Sequence, residues 1–288
     1  MMPSVFIVNS IGRAPASTVP YKTLSVEQWT YPTEKDGEED ARNIYFSDIC
    51  RLTCTEETKT SISNQISLWK HISETDNLPE YVMVLEDDNT IRNEKILSGF
   101  TNITAAMKQN KIDMLQLVTP TRMLKDKKSQ MIQLFQDLTA YKGSYDASLS
   151  AYVASRETIK KLYSYFTNNK PSLDLALELL RAENSLSILR YVIDNEQYVQ
   201  HDYTLLNEYR QSKKLKSSLK SRTDQWIMQN YPSFYNKMYV PLFSIFGKYD
   251  ITMLFLVAVT LIIGLAIFDV NNKLLWLFSG VLLAYSIN

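Results

Sequence analysis

Three adjacent carboxylates, Glu86, Asp87 and Asp88, close the segment YVMVLEDDNT, in which five apolar residues run directly into the acids. Repulsion among three neighbouring anions has to be offset by solvent, by a basic partner or by a metal. Successive side chains of an extended chain alternate, so Glu86 and Asp88 can point to one side. Two carboxylates on one side are half of a site for a hard cation, Mn2+ or Mg2+, which completes its shell with water and phosphate oxygens. A cation held in this way can bind the diphosphate of a nucleotide-sugar and act as Lewis acid on the leaving group. The plain alternative is a solvated strand end.

Other residues capable of chemistry are few. Cys50 and Cys54 form a C-x-x-x-C pair in ICRLTC. On a helix such a pair lies on one face, and it reads as two packed thiols in a reducing compartment rather than a bridge. Zinc would need two further ligands, and the only histidines, His71 and His201, are distant in sequence. The 31 basic and 31 acidic residues cancel, so no surface-wide attraction for nucleic acid is expected. A hydrophobic fraction of 45% is ample for a core and argues against global disorder. The start, MMPSVFIVNS, has too short an apolar run and no basic region for a secretory signal.

The elements that must position these groups alternate. VFIVNS reads as a buried first strand, and residues 11–55 are mostly polar, with a charged turn at EKDGEED. Residues 56–73 are helical, because Ile62, Ile66, Trp69 and Ile72 recur at spacings of four and three. Residues 81–85, apolar throughout, form a strand covered on both faces. A helix over 93–109, strands over 112–118 and 152–154, and helices over 156–168 and 173–187 follow. This order predicts an α/β domain with a mostly parallel sheet. Ligands of such sheets bind beyond the carboxyl ends of the strands, where the acidic triplet lies.

The C-terminus is different in kind. Residues 251–268, ITMLFLVAVTLIIGLAIF, and 274–287, LLWLFSGVLLAYSI, are uncharged and separated by DVNNK. The first is just long enough to span a membrane; the second is short and would tilt, thin the bilayer or sit re-entrant. Residues 211–222 carry five basic residues and no acid, and an aromatic-rich stretch follows. This pattern suits anionic headgroups and their interface. It predicts a cytosolic catalytic side and a C-terminal membrane anchor.

Several segments together resemble glycosyltransferase family 25, the group of lipooligosaccharide and procollagen galactosyltransferases. The matching pieces are TSISNQISLW, VLEDD, IDMLQL, ASLSAYVASRETIKKL and PSLDLAL, spread over roughly residues 5–202. The family's helix motif carries Gly, Cys, Ser and His where this chain has Thr60, Ser61, Asn64 and Gln65, while Trp69 matches. Ser148 stands where the strand motif has glycine. The resemblance implies a GT-A-like, Rossmann-like, mostly parallel sheet with flanking helices, joined here to a C-terminal transmembrane helical hairpin. It implies metal-assisted transfer of a hexose from a UDP-sugar to a glycan, lipid or protein acceptor. Glu86 and Asp88 match the metal motif, and Asp87 is a further donor contact. Gln65 and Tyr152 are expected at the nucleotide-sugar, Asp174 as general base and His201 as an added metal ligand. The alternative is an inactive scaffold of the same fold. The expected division is 1–210 catalytic, 211–249 juxtamembrane and 250–288 anchor. Heavy use of Lys, Asn, Ile and Tyr resembles coding in AT-rich genomes, large DNA viruses among them.

Overall fold

A computed structural model describes residues 4–9, 24–30, 42–87, 89–118, 131–135, 137–143, 147–193, 198–201, 223, 226–227, 231–239, 241–245 and 249–286. The charged turn at 34–40, Asp88 and the basic run at 211–222 lie outside the described residues.

The chain enters the sheet with β1 (Val5–Val8) and β2 (Val26–Trp29). Helices α1 (Asp48–Thr53) and α2 (Glu56–Glu74) follow, each opened by a side-chain cap, Ser47 and Thr55. Each cap oxygen accepts an otherwise orphaned backbone N–H of the first turn. Next come β3 (Tyr81–Glu86), β4 (Asn89–Ile91), α3 (Lys95–Ser98), α4 (Phe100–Gln109) and β5 (Met114–Gln116). The strands β6 (Ile132–Phe135), β7 (Leu138–Lys142) and β8 (Ala151–Ser155) lead to α5 (Arg156–Asn168) and α6 (Leu175–Leu186). Then come β9 (Arg190–Ile193), β10 (Val199–His201), α7 (Pro232–Tyr239), β11 (Pro241–Ile245), β12 (Tyr249–Thr252), α8 (Met253–Ile267) and α9 (Lys273–Ser286).

Eight strands form one sheet in the order β2-β1-β3-β8-β5-β9-β7-β6. Alternation along the strands builds two cores from one sheet. Phe6, Val8, Val82, Val84 and Tyr152 face a layer containing α1, α2, α5 and α6, with Trp69, Ile159, Phe166 and Leu179 buried in it. Val5, Ile7, Met83, Leu85 and Val153 face the other way, onto Ile96, Ile103 and Met107 of α3 and α4.

Several expectations are corrected or refined by this architecture. The sheet is mixed rather than mostly parallel: β1–β2, β1–β3 and β5–β9 are parallel, but β3–β8, β5–β8, β7–β9 and β6–β7 are antiparallel. An apolar run reports that both faces are covered and is blind to strand direction, so AYVAS gave no sign that β8 runs backwards between β3 and β5. The helix placed over 93–109 is two, because Gly99 ends α3 and begins α4. The polar stretch 11–55 contains β2 and α1.

The remaining two concern chemistry and membrane topology. Cys50 and Cys54 are joined in a disulfide, with Cα atoms 4.7 Å apart, rather than being packed thiols. The backbone turns extended at Cys54, so the pair straddles a helix end, not a regular turn. The transmembrane hairpin is also corrected. Ile251 and Thr252 belong to β12, Thr252 caps α8, and Asp269 breaks the chain in the left-handed region at φ 48°. This leaves 15 residues in α8 and 14 in α9. At 1.5 Å per residue they reach about 22 and 21 Å, against a hydrocarbon core of about 30 Å. Among the described residues no helix is long and apolar enough to cross a membrane.

Candidate functional site

Parallel pairing of β1 and β3 brings their carboxyl ends level, with Val8 opposite Glu86. The backbone of the acidic turn is held on both sides. Glu86 N–H donates to Ser150 O at 2.7 Å and Asp87 N–H to Val8 O at 3.0 Å. Asn89 Nδ2 donates to the carbonyls of Glu86 and Ser150 at 3.0 and 2.8 Å. Asn64 Nδ2 reaches Asn9 O at 3.1 Å, and the hydroxyls of Ser148 and Ser150 are 2.9 Å apart. The result is a polar rim around two half-buried carboxylates, Glu86 and Asp87, at the end of otherwise apolar strands. Antiparallel pairing of β10 with β4 sets His201 opposite Asn89, so the backbone brings His201 beside this turn. Among the described residues no group of three His, Cys, Asp or Glu side chains is arranged to hold a metal ion.

Gln65 and Tyr152 are brought together in a buried relay. Trp69 Nε1 donates to Tyr152 Oη at 2.7 Å, Tyr152 Oη donates to Gln65 Oε1 at 3.2 Å, and Gln65 Nε2 donates to Leu149 O at 3.2 Å. All three side chains are buried. The relay ties α2 to the sheet and satisfies polar groups that would otherwise be costly in the core. Burial pushes the Tyr152 hydroxyl well above the ordinary tyrosine range, against the opposing pull of the Trp69 hydrogen bond. Asp174 is the N-cap of α6, and its Oδ1 accepts from Ala176 N–H at 2.9 Å. The signal for this was in the sequence, an aspartate three residues past a proline and directly before an apolar helical run.

Two polar constellations were not anticipated. Arg190, buried in β9, donates from Nε to Glu183 and from Nη1 to Gln116 Oε1 at 2.9 Å. Its guanidinium occupies space left by Gly143, where a Cβ would come within 2.6 Å of Nη1. An arginine opening the apolar run RYVI was the available signal. Tyr198 Oη donates to Asp137 across the other end of the sheet. Burial first, and then that hydrogen bond, push Tyr198 up to about 12; the same bond lowers Asp137.

A second candidate region is the C-terminal helix pair. α8 and α9 pack against each other, yet Phe268 is 80% exposed, Leu274 75% and Ile267 72%. An apolar groove along α8 is lined by Met253, Val257, Thr260, Gly264 and Phe268. Beside the pair, α7 exposes Phe234, and Tyr231 and Trp226 just before it are exposed too. Tyr239 of α7 stacks on Tyr235 and meets Tyr285 of α9 edge-on, with ring centres 6.3 Å apart.

Fold and surface together define a mixed α/β domain joined to an outward-facing apolar helix pair. Residues 26–287 match the family described as Poxvirus P35 protein, and the chain belongs to that family. It is 51% identical to the immunodominant envelope protein p35 of fowlpox virus (strain NVSL), over 98% of this chain and 97% of that one. It is 33% identical to envelope protein OPG108 of monkeypox virus and 32% identical to envelope protein H3 of vaccinia virus (strain Copenhagen). Both matches span 90% of this chain and 80% of the relative.

This corrects the assignment to glycosyltransferase family 25 and the expectation of a hexose-transferring enzyme built on it. The relatives are named as envelope proteins, not as enzymes. The pieces that suggested that family are short and local: here an apolar strand ending in acids, β3, and another strand, β8, leading into the helix α5 capped by Ser155. The expectation of a viral source agrees with the relatives, and envelope proteins are consistent with association with a viral membrane.

Proposed function

We propose that the chain is a non-enzymatic envelope protein, an α/β domain displayed at the surface of a viral membrane and held to lipid by its C-terminal helix pair. The observation that supports this most is the exposure of α8 and α9. Phe268, Leu274, Ile267, Leu277 and Phe278 all stand open, whereas the two cores of the domain beside them close off Trp69, Ile62, Leu85 and Met107, and the exposed large apolar residues described there are few, chiefly Ile44, Ile49, Leu52 and Met131. Removing a large aliphatic or aromatic side chain from water is worth about 1.5–3 kcal/mol, so several together hold a domain firmly on lipid. Helices of this length enter the bilayer without crossing it, and residues 250–288 serve as the lipid-contacting unit in this reading. The aromatic side chains of Trp226, Tyr231 and Phe234 fit the interfacial zone beside it. Residues 1–210 form the displayed domain, and 211–249 link it to the lipid.

The proposal assigns the sheet domain a display role. Gln65, Tyr152 and Asp174 make bonds that hold helices in place. The rim at Glu86 and Asp87 is the surface on which a polar partner would meet the strand ends.

Detergent phase partition of the full chain tests the lipid assignment. The protein is expected in the detergent-rich phase, and Ile267→Lys combined with Phe278→Lys is expected to move most of it to the aqueous phase. A double variant that stays in the detergent-rich phase would contradict the assignment.

A further inference from the structure

A second apolar surface lies far from the C-terminus in sequence but next to it in space. Ile44, Ile49 and Leu52 are 58%, 48% and 79% exposed. Ile49 and Leu52 are three residues apart on α1 and so share one face. The opposite side of the segment is buried through Phe46 and Cys50, so the exposed side is outward by construction, not by loose packing. The disulfide to Cys54 fastens the end of this helix.

The placement of α1 follows from a chain of contacts. Ser47 N–H donates to Pro171 O at 2.9 Å. The next residue, Ser172, donates from Oγ to Leu242 O of β11 at 3.2 Å. α1 itself packs against β11. β11 pairs with β12, and β12 runs without a break into α8. Helix α1 therefore stands beside the strand pair from which the apolar helix pair begins.

We infer that the Ile49–Leu52 face of α1, together with Ile44 in the turn before it, is a second lipid-docking element, seated at the interfacial level of the bilayer that α8 and α9 enter. This rests on the proposed lipid contact of those helices and adds an orientation to it. Helices of about 22 Å keep the domain close to the bilayer surface. A leucine exposed at that level gains burial in the headgroup and acyl boundary, and a flanking ion pair, Asp48–Arg51 at 3.2 Å, can stay in water. With one attachment point the domain would pivot about α8. With two it is held in one orientation, so that a fixed part of its surface faces outward.

Photolabelling of the full chain in phosphatidylcholine vesicles tests this. The probe is a phosphatidylcholine with a diazirine near the top of one acyl chain, and labelled peptides are mapped by mass spectrometry. Label is expected in residues 253–286 and in 43–54, with 43–54 at least fivefold above α4, which lies on the other face of the sheet. The Ile49→Asp and Leu52→Asp double variant should still float with the vesicles, while its 43–54 label falls to the α4 level. Label in 253–286 with none above the α4 level in 43–54 would overturn the inference and leave the lipid reading intact; it would point to a protein partner for α1. Absence of label from 253–286 would overturn both.

Discussion

The sheet domain and the C-terminal helix pair are both rich in large apolar side chains, and they treat them in opposite ways. In the domain Trp69, Ile62 and Leu85 are closed off, while Phe268, Leu274 and Ile267 of the helix pair face outward. A chain that can bury its apolar surface against itself gains stability by doing so. One that leaves a contiguous apolar surface open has its partner elsewhere. The domain is held by its own two cores and a few buried polar bonds; in the function proposed above, the helix pair is held by lipid instead. Substitutions should therefore separate into those that unfold the domain and those that release it from lipid.

The largest expected effect on the domain is Glu183→Ala. It leaves the Arg190 guanidinium buried with only its Gln116 contact among the bonds described above. Breaking a buried pair from one side costs about 3–5 kcal/mol. A denaturant midpoint shifted by that amount, with lipid flotation unchanged, is the expected result, and loss of flotation would break the separation of the two regions.

Tyr152→Phe should cost less, about 1–3 kcal/mol, since it deprives Trp69 Nε1 of an acceptor and Gln65 Oε1 of a donor inside the core. Equilibrium unfolding measures it. A neutral result would mean that the relay is not under the constraint its burial implies.

A smaller effect is visible only in alkali. Tyr198 is raised from 10.0 to about 12 in the folded protein, because burial and the Asp137 carboxylate both oppose its ionisation. A raised folded value favours the neutral form, so its contribution is fully present below pH 10 and is lost as the pH rises towards 12. Stability measured from pH 9 to 12 should fall more steeply in the wild-type chain than in Tyr198→Phe. Identical slopes would sink this assignment.

How much of this was legible in the sequence differs between the same two regions. Strands β1 and β3 and helices α2, α5 and α6 were readable, since period and burial are local properties. Strand direction was not, because β8 looks the same from either end. β9 depends on pairing with the distant strands β5 and β7, and Arg190 is intelligible only once Glu183 and Gln116 are placed beside it. Glu86 ends β3 and Asp87 follows it, as the sequence suggested, while the other residues singled out with them stand elsewhere. Gln65 and Tyr152 meet each other, and Asp174 caps a helix. The tail was legible as apolar and blurred in extent, because Ile251 and Thr252 are as apolar-compatible in a strand as in a helix. The disulfide was missed because C-x-x-x-C spacing does not say where a helix stops.

The central claim is that residues 250–288 join the chain to lipid while the domain stands without them. Co-flotation with phosphatidylcholine vesicles tests it, using the full chain and one ending at residue 249. The full chain should rise with the vesicles, and the shortened chain should stay at the bottom of the gradient. A shortened chain that floats as well as the full one would contradict the claim.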